Sequence, residues 1–146
     1  MTIVACGACA KRNRVPDAAA GVPTCAACHQ PLPWEVEAND ATFTAAVDTK
    51  IAVLVDLWAP WCGPCRAVSP SVEAIGRRLA GRLKTVKVNV DEAPGVAAQL
   101  AVQGIPTLLV WRDGREVARQ VGALPAVQLE RWVSDHLETH PTGRRP

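Results

Sequence analysis

Val53-Leu54-Val55-Asp56-Leu57-Trp58-Ala59-Pro60-Trp61-Cys62-Gly63-Pro64-Cys65 decides the fold of this 146-residue chain. The run from Val53 to Trp58 is short and apolar, as a strand buried on both faces requires, and one acid, Asp56, interrupts it. Downstream, Val72, Ile75 and Leu79 recur at helical spacing, with Glu73, Arg77 and Arg78 between them. Cys62 and Cys65 therefore stand where a buried strand hands over to a helix.

Outward from this junction, strand and helix patterns alternate. An opening strand at Trp34–Glu37 and a helix over Asp40–Val47 come before it. After it come an alternating strand, Thr85–Val90, a helix marked by Val96, Leu100 and Val102, and a strand at Thr107–Trp111. The Asp113-Gly114 turn joins that strand to Glu116–Val121 as a hairpin, and Leu129, Trp132, Val133 and Leu137 mark a closing amphipathic helix. The order β-α-β-α-β-α-β-β-α predicts an α/β fold, a central sheet with helices on both faces. Residues 1–33 differ: they hold four of the six Cys and four Pro, with no apolar period long enough for a core helix or strand. The boundaries expected are a small unit at 1–33, the α/β domain at 34–139 and a flexible tail at 140–146.

Composition narrows the function. Apolar residues make up 49% and charged residues 21%, the balance of a folded soluble chain. The net charge of +2 is too small to predict binding to nucleic acid or an anionic membrane. No apolar run approaches the ~20 residues of a membrane-spanning helix. Met1–Arg14 lacks the ordered parts of a secretory signal, so a cytoplasmic location is expected. Six Cys in a reducing compartment point to metal binding or thiol chemistry rather than structural disulfides.

At a helix N-terminus, Cys62 meets unpaired backbone N–H groups and the positive end of the dipole, which favour its thiolate. Pro64 fits the first turn, where the N–H it lacks has no intrahelical partner. Cys65 lies one turn on, within reach of a disulfide to Cys62, and such a pair can exchange electrons with another disulfide. The competing reading of this C-x-x-C is half of a zinc site, which the strand-to-helix context disfavours.

The segment Val55–Cys65 resembles the active-site segment of the thioredoxin family. So do Lys87-Val88-Asn89-Val90-Asp91, Gly104-Ile105-Pro106-Thr107, Asp113-Gly114 and Val121-Gly122-Ala123, so that the resemblance covers about residues 34–139. It implies a thioredoxin fold, with a mixed sheet, and a set of roles. Cys62 is the exposed nucleophile, Cys65 the buried resolving thiol, and Asp56 the proton acceptor for Cys65 through a water. Lys87 tunes the charge of Asp56, and a cis Pro106 presents the backbone of Ile105 to an extended client. Trp61, Gly63, Pro64, Ile105, Pro106 and Gly122 form the client-binding rim. Blander alternatives stay open: Asp56 or Lys87 facing solvent, Trp61 in ordinary packing, Gly122 as a turn residue. Pro70 is expected to kink the helix. Leu57 and Trp111 stand where the family frequently has Phe.

Near the N-terminus, Cys6, Cys9, Cys25 and Cys28 form C-x2-C-x15-C-x2-C, a spacing read as a four-Cys Zn²⁺ site. The unit has too little apolar content for a core, so metal would supply its folding energy. Two disulfides, or a nucleic-acid ribbon using Lys11, Arg12 and Arg14, are the alternatives; Asp17, Glu35 and Glu37 cancel that charge. His29 adjoins Cys28, but four Cys already complete the set, and His136 and His140 read as helix-end residues. With this unit, the chain resembles a zinc-binding bacterial subtype of the family, thioredoxin 2. The function implied is a monomeric protein-disulfide reductase, recharged by the NADPH-dependent flavoprotein thioredoxin reductase, without a bound organic cofactor. A more oxidising isomerase, or a zinc-dependent redox-sensing or chaperone module, are the rival readings.

Overall fold

A computed structural model describes residues 1–19 and 21–137. The tail expected at 140–146, His140 and the last two residues of the 34–139 range lie outside the described residues.

Five strands make one mixed sheet: β3 (Trp34–Ala38), β4 (Ala52–Trp58), β5 (Leu83–Asn89), β6 (Thr107–Arg112) and β7 (Arg115–Val121). Their spatial order is β3-β5-β4-β6-β7. β4 pairs parallel with β5 and antiparallel with β6, so it lies at the centre. The thioredoxin fold expected from the sequence is thus the one observed, with helices on both faces.

Alternation along β4 sorts the two faces. Val53, Val55 and Leu57 join the cluster that contains Phe43, Ala46 and Val47 of α1 (Phe43–Val47) and Val96 of α3 (Pro94–Gln99). Ala52 and Leu54 join the opposite cluster, with Val68, Val72 and Ile75 of α2 (Gly63–Arg78) and Leu129 and Val133 of α4 (Ala126–Asp135). By the same period of two, Asp56 points to the α2 face. A residue that the pattern would make apolar is therefore a carboxyl under the helix that carries Cys65.

The helix starts differ from the sequence expectations. α1 begins at Phe43, not Asp40, because Asp40 is used elsewhere: its carboxylate accepts the Gly95 and Val96 N–H groups at 3.1 and 2.8 Å. That caps α3, whose last helical residue is Gln99 rather than Val102. Pro70 lies inside a continuous α2, and Arg77 and Arg78 occupy its last turn, where the dipole favours cations.

Residues 1–33 hold strands the sequence pattern did not reveal. β1 (Thr2–Ala5) and β2 (Arg12–Val15) pair antiparallel across the first Cys pair. The stretches are four residues long, and β1 reads Thr-Ile-Val-Ala without alternation, too short for the period to show. Nor does this unit stand apart. Cys6, Val15, Cys25 and Leu32 are buried in the same cluster as β3, α1 and the middle of β4. Trp34 Nε1 donates to the Pro16 carbonyl at 2.8 Å.

Lys84 completes that junction. Its alternation partners Val86 and Val88 are apolar, and it is 0% exposed. Its ammonium donates to the carbonyls of Asp17 and Ala46, both at 2.7 Å, and sits 4.1 Å from the centre of the Trp34 ring. Desolvation pulls its pKa down to about 8 against the attraction of Asp17, which leaves it charged at neutral pH. An ammonium this deep is tolerated because two carbonyls and an aromatic face replace its water.

Candidate functional site

Strand β4 ends at Trp58, and Ala59–Trp61 turn the chain so that Cys62 caps α2. The Cys65 N–H donates to Cys62 Sγ at 3.2 Å, the bond a capping group makes at a helix start. Cys62 and Cys65 are joined as a disulfide, with Cα atoms 5.2 Å apart. In this oxidised state Cys62 is 5% exposed and Cys65 3%, so the expectation of an exposed nucleophile is corrected. The bond turns Cys62 Sγ toward Cys65, and Ala59, Trp58, Val90 and Ile105 pack around the pair.

The Ile105–Pro106 peptide is cis, as the resemblance implied. The Ile105 carbonyl oxygen lies 3.8 Å from Cys62 Sγ, and Pro106 is buried. Gly122, with φ of 92°, donates its N–H to the Pro106 carbonyl at 2.8 Å. Gly63 and Pro64 form the first turn of α2, with open space where a Cβ on Gly63 would sit. Trp61 is 67% exposed and donates Nε1 to Asp91 Oδ2 at 2.8 Å. Of the expected rim residues, Trp61, Gly63 and Pro64 flank Cys62 in the chain, Ile105 packs against the disulfide, and Gly122 bonds to Pro106 beside it.

Asp56 is 1% exposed, and its Oδ1 has no hydrogen-bond partner. Desolvation raises its pKa to about 6, opposed by the charge of Lys87 and aided by Glu35. Asp56 and Lys87 are register partners on β4 and β5. Lys87 is mostly buried rather than facing solvent. Its Nζ donates to Ser69 Oγ at 3.0 Å and reaches Glu73 at 3.9 Å. A cavity of about 190 Å³ lined by Asp56, Trp58, Cys65, Arg66, Ser69 and Lys87 connects these groups.

The second cysteine group is a cage. Cys6 and Cys28 sulfurs are 3.5 Å apart, Cys9 and Cys25 3.6 Å, and all four lie within 4.8 Å of one another. Four thiolates at the usual ~2.3 Å from Zn²⁺ would stand about 3.8 Å from each other, so the set fits a tetrahedral ion. The Cys28 and Ala27 N–H groups lower the Cys25 thiol to about 6. At Cys28 the Gln30 N–H acts the same way, but burial and the three neighbouring sulfurs push it up to about 12. Packed this closely, the four thiols titrate as a group, and a cation between them would favour their thiolates.

Sequence reasoning missed three of the residues that hold these sites. Asn13, buried on β2, receives the Ala26 N–H at 2.9 Å and donates to Lys11 O and to Cys25 Sγ, tying one Cys pair to the other. Asp91 anchors Trp61, and Lys84 joins the N-terminal unit to the sheet through the Asp17 carbonyl. Only Lys84 left a signal, a lysine on the apolar side of an alternating strand.

The family model described as Thioredoxin matches residues 35–135. Thioredoxin 1 of Nostoc sp. is 46% identical over 102 residues, which cover 69% of this chain and 95% of that protein. Thioredoxin of Haemophilus influenzae is 45% identical over 100 residues, 68% of this chain and 94% of the relative. Thioredoxin C-3 of Corynebacterium nephridii is 35% identical over 140 residues, and there the match takes in 93% of this chain and 96% of the relative.

Proposed function

This chain belongs to the thioredoxin family and is a thiol–disulfide oxidoreductase, and on that premise we propose that it reduces disulfides in client proteins. The observation that carries this reading is Cys62 at the N-cap of α2, one turn from Cys65 and beside the Ile105 carbonyl.

In the reduced state, the Cys62 thiolate attacks one sulfur of a client disulfide, forming a mixed disulfide and expelling the other client sulfur as a thiolate. The Cys65 thiolate then attacks Cys62 Sγ, closing the Cys62–Cys65 disulfide and freeing the second client sulfur. Two electrons pass to the client. Asp56 takes the proton from Cys65, and the cavity between them has room and polar partners for a relaying water. Lys87 steadies the carboxylate that results. Trp61, Gly63, Pro64, Ile105, Pro106 and Gly122 bind the client, whose extended backbone pairs with Ile105.

Cys6, Cys9, Cys25 and Cys28 hold Zn²⁺, which when bound cross-links the two Cys pairs and leaves no open position for substrate. The chain is of the thioredoxin 2 type, with a zinc unit at 1–33, a redox domain at 34–139 and a tail at 140–146. It works as a cytoplasmic monomer and is recharged by thioredoxin reductase. Among the described residues no helix is long and apolar enough to cross a membrane.

The test is the reduction potential of the Cys62–Cys65 pair, measured with zinc bound in defined thiol–disulfide buffers. A value below the cytosolic glutathione poise of about −220 to −260 mV is expected. A value well above it would make the chain an oxidant or isomerase.

A further inference from the structure

The segment that carries Ile105 is held at three points by β7 and the residue that follows it. At its far end, Gly122 N–H meets the Pro106 carbonyl at 2.8 Å. In the middle, Val121 packs 3.6 Å from where a Cβ on Gly104 would stand. At its near end α3 stops and the chain turns through Ala101, whose φ of 54° lies in the left-handed region that side chains disfavour. Arg119 holds that turn. Its Nη2 donates to the Leu100 carbonyl at 2.7 Å and its Nη1 reaches the Ala101 carbonyl at 3.5 Å.

Arg119 is itself aimed. Its Nε and Nη2 form a two-pronged pair with Glu116, both bonds at 2.8 Å. Residues three apart in a regular strand point to opposite faces, so this pair should not form. It forms because β7 carries one residue more than β6 here: Ala118 faces Val110 and Glu116 faces Trp111, with Val117 as the extra residue. That bulge brings Glu116 round to the side of Arg119, the kind of re-aiming bulges provide near functional sites. Glu116 and Arg119 are 31% and 29% exposed, so the pair adds little stability in its own right. What it supplies is direction: a planar fork fixed on one side by a carboxylate and on the other by the end of α3.

We propose that Arg119 is a positioning residue, which sets the Ile105 backbone at the distance from Cys62 that an extended polypeptide needs and so selects protein disulfides over small ones. The proposal rests on the reductase reading above. A small disulfide needs only the Cys62 sulfur. A polypeptide must also lie along Ile105, and a displaced edge costs it the alignment of its disulfide with Cys62.

The reduced, zinc-loaded protein is mixed with insulin and, separately, with hydroxyethyl disulfide, and the rate constant for oxidation of the Cys62–Cys65 pair is measured for each. The readout is the ratio of the insulin rate to the small-disulfide rate. Arg119→Ala is expected to lower this ratio about tenfold. Glu116→Gln, which keeps the arginine but loosens its anchor, lowers it about threefold. Arg119→Lys recovers part of the loss, since an ammonium reaches one carbonyl but cannot also fork. Thermal unfolding midpoints verify that each variant is folded. An unchanged ratio in Arg119→Ala, or both rates falling together, overturns the proposal. A wild-type pair oxidised by neither substrate overturns the reductase reading, and the role of Arg119 with it.

Discussion

The chain uses C-x-x-C three times, and the three begin alike. Ala10 N–H bonds to the Cys6 carbonyl, His29 N–H to the Cys25 carbonyl and Arg66 N–H to the Cys62 carbonyl, the same closing bond each time. In each, a backbone N–H also reaches the first sulfur: from Ala8 at 3.3 Å, from Ala27 at 3.4 Å and from Cys65 at 3.2 Å. They part at the fifth residue, the one after the second Cys. Ala10 and His29 have φ of 68° and 65°, and the chain folds back so that the Cys6 and Cys25 N–H groups meet the Lys11 and Gln30 carbonyls. Arg66 continues as helix. Reversal aims both thiols of a pair at the other pair, which makes a cage for a cation. Continuation aims them at each other, which makes a redox couple. The spacing is common to both; the direction the backbone takes afterward separates them.

The largest test of that contrast exchanges the losses. Cys62→Ser should lower insulin reduction at least about a thousandfold, since the attacking thiolate is gone, and leave zinc content near one per chain by metal analysis. Cys25→Ser should lose the metal and keep the Cys62–Cys65 exchange at room temperature. If Cys25→Ser also abolishes exchange while the sheet stays folded, the two cysteine systems are not chemically separate.

Separate chemistry does not mean separate stability. Lys84→Ala removes the donor shared by the Asp17 and Ala46 carbonyls and leaves a hole beside Trp34, a cost of about 3 kcal/mol by urea unfolding. A loss under about 1 kcal/mol would show that the ammonium is replaceable by solvent there.

Asp56 tests the redox side alone. Its pKa, about 6 in the folded chain, is above the usual carboxylate value of 3.8. The folded state therefore binds the proton more tightly, and stability falls as pH rises from about 4 through 6. Asp56→Asn removes that dependence, so the variant should gain up to about 3 kcal/mol at pH 8 and almost nothing at pH 4. Insulin reduction should slow by about tenfold, because Cys65 loses its proton acceptor. Equal gains at both pH values would assign the stabilisation to packing instead. The smallest effect belongs to Trp61→Phe, which deletes the bond to Asp91 and should cost about 1 kcal/mol or less. Its expected signature is a modest loss in insulin reduction with an unchanged metal content.

Much of this was legible in the chain itself. The redox junction could be read because a buried strand, an acid within it and Cys-Gly-Pro-Cys each carry a local pattern. The cage could be read from spacing. What escaped were the features that depend on distant partners. The β1–β2 hairpin is too short for a period to appear. Asn13 matters only because the second Cys pair folds over it, and Asp40 leaves α1 to cap a helix more than fifty residues on. The β7 bulge that pairs Glu116 with Arg119 has no mark in Arg115–Val121 itself, being a mismatch with β6 rather than a property of either strand.

The bond from Lys84 to Asp17 spans 67 residues. On a ribosome, then, the four cysteines emerge well before the strand whose lysine ties their unit to the sheet has been made. For that interval the hairpin and its two turns have no sheet beneath them, and Val15 and Leu32 lack the core that later buries them. Early capture of a cation is what would keep this leading segment in shape until β5 arrives to receive it.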